Sequence, residues 1–119
     1  MDTYDYKDFE IIDAHSHIFP EKISHKAAIA IGDFYDLPMF GEGSSEKLLE
    51  SGNRIGVVKY LVCSTATVPQ QTVSINTFIK DECEAHPEFF GFGTLHPDMD
   101  GIEDEVDRVI SLGLHGIKI

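Results

Sequence analysis

FEIIDAHSHIFP, residues 9–20, is the most informative stretch of this 119-residue chain. Its apolar run, bounded by a proline, predicts a buried β-strand over residues 9–15. The run leads into two histidines one residue apart, His15 and His17. Because side chains alternate along a strand, both imidazoles are expected on one face, together with Asp13. The stretch therefore predicts a strand whose C-terminal end presents two imidazoles.

Three further segments have the same apolar, β-branched or aromatic character and are bounded by Gly, Pro or Asp. They are VVKYLVCST (57–65), FFGFGTLH (89–96) and HGIKI (115–119). Near-continuous apolar runs are typical of strands that are covered on both faces, as in a parallel sheet. The sequence thus predicts four buried strands.

Helical patterns separate these strands. In GIEDEVDRVISLGL (101–114) the apolar residues recur at helical spacing, Asp100 and Glu103 have the spacing of a capping box, and Gly113 suits the C-terminal end. Similar patterns occur in EKISHKAAIAIGDFYD (21–36), SSEKLLESGNRIG (44–56) and VPQQTVSINTFIKDECEAHPE (68–88).

Strands alternating with helices predict consecutive βαβ units in one α/β domain over residues 1–119. Two architectures fit this order. A doubly wound open sheet would be complete at about this length, whereas a (β/α)8 barrel needs about 250 residues, so about four βα units would be its N-terminal half.

Composition excludes some partners. Nine basic residues face twenty-one acidic ones, a net charge of −12, which argues against nucleic acid or an anionic membrane as a partner. The sequence has neither a signal peptide nor an apolar run of membrane-spanning length, so we expect a cytoplasmic protein. The two cysteines, Cys63 and Cys83, form no CxxC pair and are expected to be buried, reduced thiols.

The two histidines have two interpretations. Two imidazoles on one face can chelate a divalent metal ion, and the C-terminal end of a parallel strand is where α/β folds carry their active sites. Asp13, one step deeper, would then hold a histidine in place as an outer partner. Alternatively the two are unrelated, one exposed in the loop and one hydrogen-bonded. The position directly after an apolar strand favours the metal site.

IIDAHSHIFP resembles the opening strand of the amidohydrolase superfamily. The likeness is to the amidohydrolase-related branch that contains aminocarboxymuconate semialdehyde decarboxylase, and it continues in order through GVVKYLVCSTAT, FFGFGTLHPD and LGLHGIKI. The resemblance implies a (β/α)8 TIM barrel with a divalent metal ion, zinc, at its mouth, and His15 and His17 as the first-strand metal ligands. It covers only the first half of that fold, so the chain is expected to be a piece of a longer enzyme.

Two residues on later segments are candidates for the substrate pocket. His96 ends the third predicted strand and would point into the mouth, although a turn histidine before Pro97 is an equal alternative. Lys118 alternates with two isoleucines in the fourth strand and would point inward, to an ion pair or to a substrate carboxylate. The catalytic base is left unassigned.

The sequence therefore predicts a metal-dependent hydrolase that acts on a small amide, lactone or similar substrate. Three alternatives stay open: decarboxylation of a small unsaturated acid on the same fold, a metal-dependent phosphoesterase, and a non-catalytic interaction domain. Two imidazoles leave a tetrahedral ion mostly solvated, so this chain alone is expected to bind zinc weakly and to have negligible activity. The unpaired edges of a four-stranded half barrel would favour self-association into a homo-oligomer.

Overall fold

A computed structural model describes residues 6–119, which form an α/β fold with parallel strands. The helices are α1 (Glu21–Tyr35), α2 (Ser45–Asn53), α3 (Thr72–Ala85) and α4 (Ile102–Ser111). The strands are β1 (Ile11–His17), β2 (Val57–Cys63), β3 (Phe89–Gly91), β4 (Gly93–Thr94) and β5 (Ile117–Lys118). Short 3₁₀ helices cover Tyr6–Asp8 and Pro69–Gln71.

The strands follow one another in space in the order in which they occur in the chain. β1, β2 and β3 form a parallel three-stranded sheet, and β4 pairs with β5, also in parallel. Phe92 alone separates β3 from β4, and its backbone N–H donates to Val62 O at 2.9 Å. The next amide, Gly93 N–H, donates to Gly116 O at 2.8 Å. One extended segment, 89–94, therefore joins the two sheets by pairing with β2 on one side and with β5 on the other.

The core lies between the strands and the helices that connect them. Its fully or nearly fully buried side chains are Ile18, Tyr60, Val62, Ile79 and Phe89. Glycines allow the closest approaches: a Cβ at Gly91 would lie 2.6 Å from Cys83 Sγ and 2.8 Å from Ile79 Cγ2, both on α3. Strand residues next to the inward-facing ones, such as Cys63 beside Val62 and Phe92 beside Gly91, face the opposite side of the sheet, which we call the open face.

A buried polar network fastens α3 and α4 to β4. Asn76 on α3 is fully buried, and its amide donates to Thr94 O at 3.0 Å and to Glu105 Oε1 at 2.9 Å. Its Oδ1 accepts the Thr94 N–H at 2.7 Å, and Arg108 completes the network with a 2.8 Å ion pair to Glu105. Each of these polar groups has a hydrogen-bond or ion-pair partner, and such partners lower the free-energy cost of burying polar groups.

The predicted α/β order and the four helices are confirmed, with two corrections to local detail. Two of the strands are shorter than predicted, and the third is interrupted at Phe92. The capping box expected from Asp100 and Glu103 is wrong, because Gly101 is the N-cap residue, in a left-handed conformation with φ of 70°. Ser44 is the N-cap residue of α2, and its side chain accepts the Lys47 N–H at 3.3 Å.

Both cysteines are free thiols, Cys63 buried and Cys83 half-buried. None of the helices in residues 6–119 is long and apolar enough to cross a membrane.

Candidate metal centre

A bulge in β1 brings the two histidines to the open face. The register pairs Asp13 with Tyr60 and then Ser16 with Val62, so three steps along β1 match two along β2. Such an extra residue bends a strand and changes where its side chains point. Ser16 is buried beside Val62 in the core, which leaves His15 and His17 on the other side of the strand.

The two imidazoles converge on each other. Their Nε2 atoms lie 2.9 Å apart, and their ring centroids are 5.0 Å apart with planes tilted by 47°. On its other side, His17 Nδ1 lies 3.5 Å from Thr65 Oγ1, in the loop that follows β2. A proton donated from Nδ1 to that hydroxyl leaves the Nε2 lone pair free for a ligand, which is the usual way in which an outer partner fixes a ligating histidine.

Cys63 supplies a third donor atom. It pairs with His17 across the β1–β2 ladder, so both side chains emerge at the same C-terminal edge of the sheet. The ligand atoms of His15, His17 and Cys63 all lie within 4.8 Å of one another. Cys63 is fully buried, and its thiol lies 3.6 Å from Ser16 O. These three residues form a group that could hold a metal ion, and we call it the His–His–Cys cluster.

The surroundings of His17 favour its neutral form. Burial, first, and then the charges of His15 and Lys118 lower the pKa of His17 below its ordinary value. Burial raises the pKa of the Cys63 thiol, and the positive charge of Lys118 acts in the opposite direction. A neutral imidazole has the free lone pair that a metal requires, whereas the thiol must lose its proton on binding.

The spacing of the donor atoms is compatible with a tetrahedral metal ion. For zinc, Zn–N distances of about 2.1 Å and Zn–S distances of about 2.3 Å would put N and N donors about 3.4 Å apart and N and S donors about 3.6 Å apart. The observed Nε2–Nε2 distance is 2.9 Å, and all three donors lie within 4.8 Å. Small side-chain rotations therefore suffice. Imidazole and thiolate ligands also suit zinc better than they suit magnesium or calcium.

Of the other predicted site residues, one lies near the cluster, one lies in a turn and one is not on the expected face. Lys118 lies near the cluster, since its charge acts on both His17 and Cys63. His96 lies in a turn, where its Nδ1 accepts the Asp98 N–H at 3.2 Å. The expected position of Asp13 on the imidazoles' face is wrong, because the bulge puts it in register with the inward-facing Tyr60. Its carboxylate accepts the His15 backbone N–H at 3.1 Å instead of holding an imidazole.

The sequence alone does not single out Cys63 as a site residue, because a lone cysteine in an apolar strand is usually a core residue. A signal was present in the sequence. His17 and Cys63 both stand near the C-terminal ends of strands predicted to be parallel neighbours, and such ends meet at one edge of a sheet. The exact register, which depends on the bulge, could not be read from the sequence.

Comparisons with known proteins add nothing to this geometry: no family model, no curated protein and no solved structure matches the chain.

Proposed function

We propose that the chain is a metal-dependent hydrolase of the amidohydrolase type, acting on a small amide, lactone or similar substrate. The observation that carries the proposal is the His–His–Cys cluster, whose donor atoms lie within 4.8 Å at the C-terminal ends of β1 and β2. Three protein donors and an open position are typical of catalytic rather than structural zinc sites.

The residues around the cluster have distinct parts in this proposal. A bound divalent ion would supply Lewis acidity, which activates water and polarises a carbonyl group. His15, His17 and Cys63 would hold it, and Thr65 would orient the His17 ring through Nδ1. Lys118, whose charge already acts on His17, would stabilise negative charge on the substrate.

The proposal includes the fold. We place the βα units in a (β/α)8 barrel, and one feature supports that placement over a doubly wound sheet. The described strands are parallel and neighbour one another in sequence order, whereas a doubly wound sheet reverses its order at a switch point. The candidate site lies at the C-terminal ends of the strands, where both architectures carry their active sites.

Metal binding is tested first, with cobalt(II) and zinc(II) on the metal-free chain. Cobalt should give a thiolate-to-metal charge-transfer band that disappears in Cys63→Ser and persists in Cys83→Ser, the matched control. Zinc affinity, measured by chelator competition, should fall at least about tenfold in His15→Ala and in His17→Ala, because each loses one of three ligands. His25→Ala, on exposed α1 surface, should match the wild type.

Activity is tested next on a panel of small esters, lactones and amides with the zinc-loaded chain. With two imidazoles alone we expect negligible activity, but Cys63 adds a third donor and should hold the ion more firmly. We therefore expect slow hydrolysis that stops when the metal is chelated and that is absent in His15→Ala. Release of CO2 from small unsaturated acids, or hydrolysis confined to phosphoesters, would replace the hydrolase by one of the alternatives. If the chain binds neither metal, the non-catalytic interaction domain is the remaining alternative.

A further inference from the structure

A second feature adjoins the cluster at the same edge of the sheet. A cavity of about 430 Å³ lies between α1 and α3, over the loop that follows β2. This volume is within the usual range for small-molecule sites. Most of its wall is apolar, with Ile23 and Ala27 on α1 and Ile75 on α3 among the contributors. We call it the α1–α3 cavity.

The α1–α3 cavity is connected to the cluster through shared residues. Thr65 lines the cavity and lies 3.5 Å from His17 Nδ1. Phe19 lines it as well, and its ring centroid is 6.5 Å from that of His17. A molecule in the cavity would therefore have one end beside the candidate metal site.

The polar side chains of the wall are mostly engaged with one another. Gln71 Oε1 is engaged with Thr67, and Ser74 Oγ donates to Gln71 O at 2.9 Å. Ser64 is 2% exposed, and its Oγ is itself buried and has no hydrogen-bond partner within residues 6–119. Ser64 therefore marks the closed end of the wall but does not present its hydroxyl to the cavity.

The charged group of the wall is Lys26, at its solvent side. Lys26 is exposed and forms no ion pair with any described residue. In a chain of net charge −12, a lysine without a carboxylate partner beside an apolar cavity is complementary to an anionic group on a ligand. The cavity thus has a largely apolar wall and a positive charge at its open end.

We propose that the α1–α3 cavity binds the non-reacting part of the substrate, and that the substrate is a small amide or ester with an apolar body and a terminal carboxylate. The carboxylate would face Lys26, and the body would contact Ile23, Ala27 and Ile75. That the bound molecule is a substrate rests on the proposed hydrolase function, but the binding test does not depend on that function.

The test is a ¹H–¹⁵N NMR titration of the metal-free full chain with phenylacetate and with its neutral isostere phenylacetamide. Phenylacetate should shift the amide signals of Ser64 and Ala27 saturably, with a dissociation constant of the order of 1 mM, as suits so small a ligand. Phenylacetamide should bind at the same signals about three- to fivefold more weakly, because an exposed ion pair contributes little more than that.

Lys26→Met should remove the preference for phenylacetate and leave phenylacetamide unchanged, whereas Lys22→Met, on the same helix but outside the cavity, should keep the preference. Ala27→Phe, which fills the cavity, should abolish binding of both probes. Absence of saturable shifts in the wild type, or an equal effect of Lys22→Met, overturns the proposal.

Repeating the titration with His15→Ala/His17→Ala separates the two proposals. Unchanged phenylacetate binding in a variant that no longer binds zinc is expected, since the cavity does not need the metal. If the wild type binds phenylacetate but not zinc, the carboxylate site stands and the hydrolase function falls. If it binds zinc but not phenylacetate, the reverse holds.

Discussion

At the scale of single residues, Thr65 is the side chain that links the loop after β2 to the cluster. Its hydroxyl lies 3.5 Å from His17 Nδ1, on the side of the ring opposite the converging Nε2 atoms. Thr65→Val keeps the shape and removes the hydroxyl, so the His17 tautomer and ring orientation lose their partner. We expect zinc affinity to fall about tenfold, the lower end of the effect of outer partners.

Chelator competition measures that loss, and Thr67→Val is the matched control. Thr67 stands two residues further along the same loop, and its hydroxyl contacts Gln71 rather than an imidazole. Zinc affinity in this control should equal that of the wild type. Equal affinities in all three proteins would show that Thr65 does not position His17.

Cys83 gives a prediction about pH. Burial, helped by the nearby Glu82 charge, raises the pKa of its thiol from 9.0 to about 11. Because the folded state holds the proton more tightly than the unfolded chain, the thiol's contribution to stability is fully present below pH 9. It is lost as the pH rises through about 11. The unfolding free energy of the wild type should therefore decline over this window more steeply than that of Cys83→Ala.

Alkylation provides an independent check on the same thiol. At pH 8 the thiolate fraction should be about a hundredfold lower in the native protein than in urea, following the rise in pKa from 9.0 to about 11. Mass spectrometry after iodoacetamide treatment reports the rate at Cys83. A native rate as fast as the unfolded rate would contradict the burial argument.

At the scale of elements, the contact between α2 and β2 depends on Gly52. A Cβ built there would lie 1.8 Å from the Tyr60 hydroxyl and 2.6 Å from Cζ of the same ring. Tyr60 is 1% exposed and packs in the core, so it has little room to move. Alanine in a helix would gain up to about 1 kcal/mol over glycine, but overpacking costs about 1–3 kcal/mol.

The net expectation for Gly52→Ala is a loss of about 1–2 kcal/mol in the unfolding free energy, measured by urea denaturation. Gly41→Ala is the control, because nothing lies within 4 Å of a Cβ at that position. Its effect should stay within about 0.5 kcal/mol, as for ordinary surface changes. A stabilised Gly52→Ala would show that α2 can shift away from the sheet.

The junction of α3, β4 and α4 depends on Asn76. Asn76→Ala would leave the backbone N–H and C=O of Thr94 without this partner, whereas Glu105 Oε1 keeps its ion pair with Arg108. Since each orphaned buried polar group costs about 1–3 kcal/mol, we expect a loss of about 2–4 kcal/mol. Asn53→Ala, at the exposed end of α2, should cost less than about 1 kcal/mol in the same urea titration.

At the scale of the whole molecule, the sequence was sufficient for the order of elements because that order depends on local patterns. Apolar runs and helical periodicity predict the four α-helices and the four strand segments of residues 6–119 to within a few residues, but not the 3₁₀ helix Tyr6–Asp8. The position of Asp13 and the part played by Cys63 could not be read in the same way. Both depend on the register between β1 and β2, which shifts at two places along β1, and such irregularities leave no clear mark in the sequence.

The cluster also joins two strands that are far apart in sequence, so metal binding should stabilise the whole fold. An ion held by His15 and His17 on β1 and by Cys63 on β2 binds the folded state, in which alone the three donors converge. At a free zinc concentration of 100 times the dissociation constant, the added stability is about 2.7 kcal/mol. For a chain of 119 residues that corresponds to a rise of roughly 10 °C in Tm.

Differential scanning calorimetry with and without zinc measures this shift. Magnesium should leave Tm unchanged, because hard cations bind imidazole and thiolate poorly. His15→Ala/His17→Ala should keep the fold, since both side chains lie on the open face outside the core, and should lose the zinc-dependent rise. An equal rise in this variant would show that zinc binds elsewhere on the acidic surface, and that the convergence of the three donors does not make a metal site.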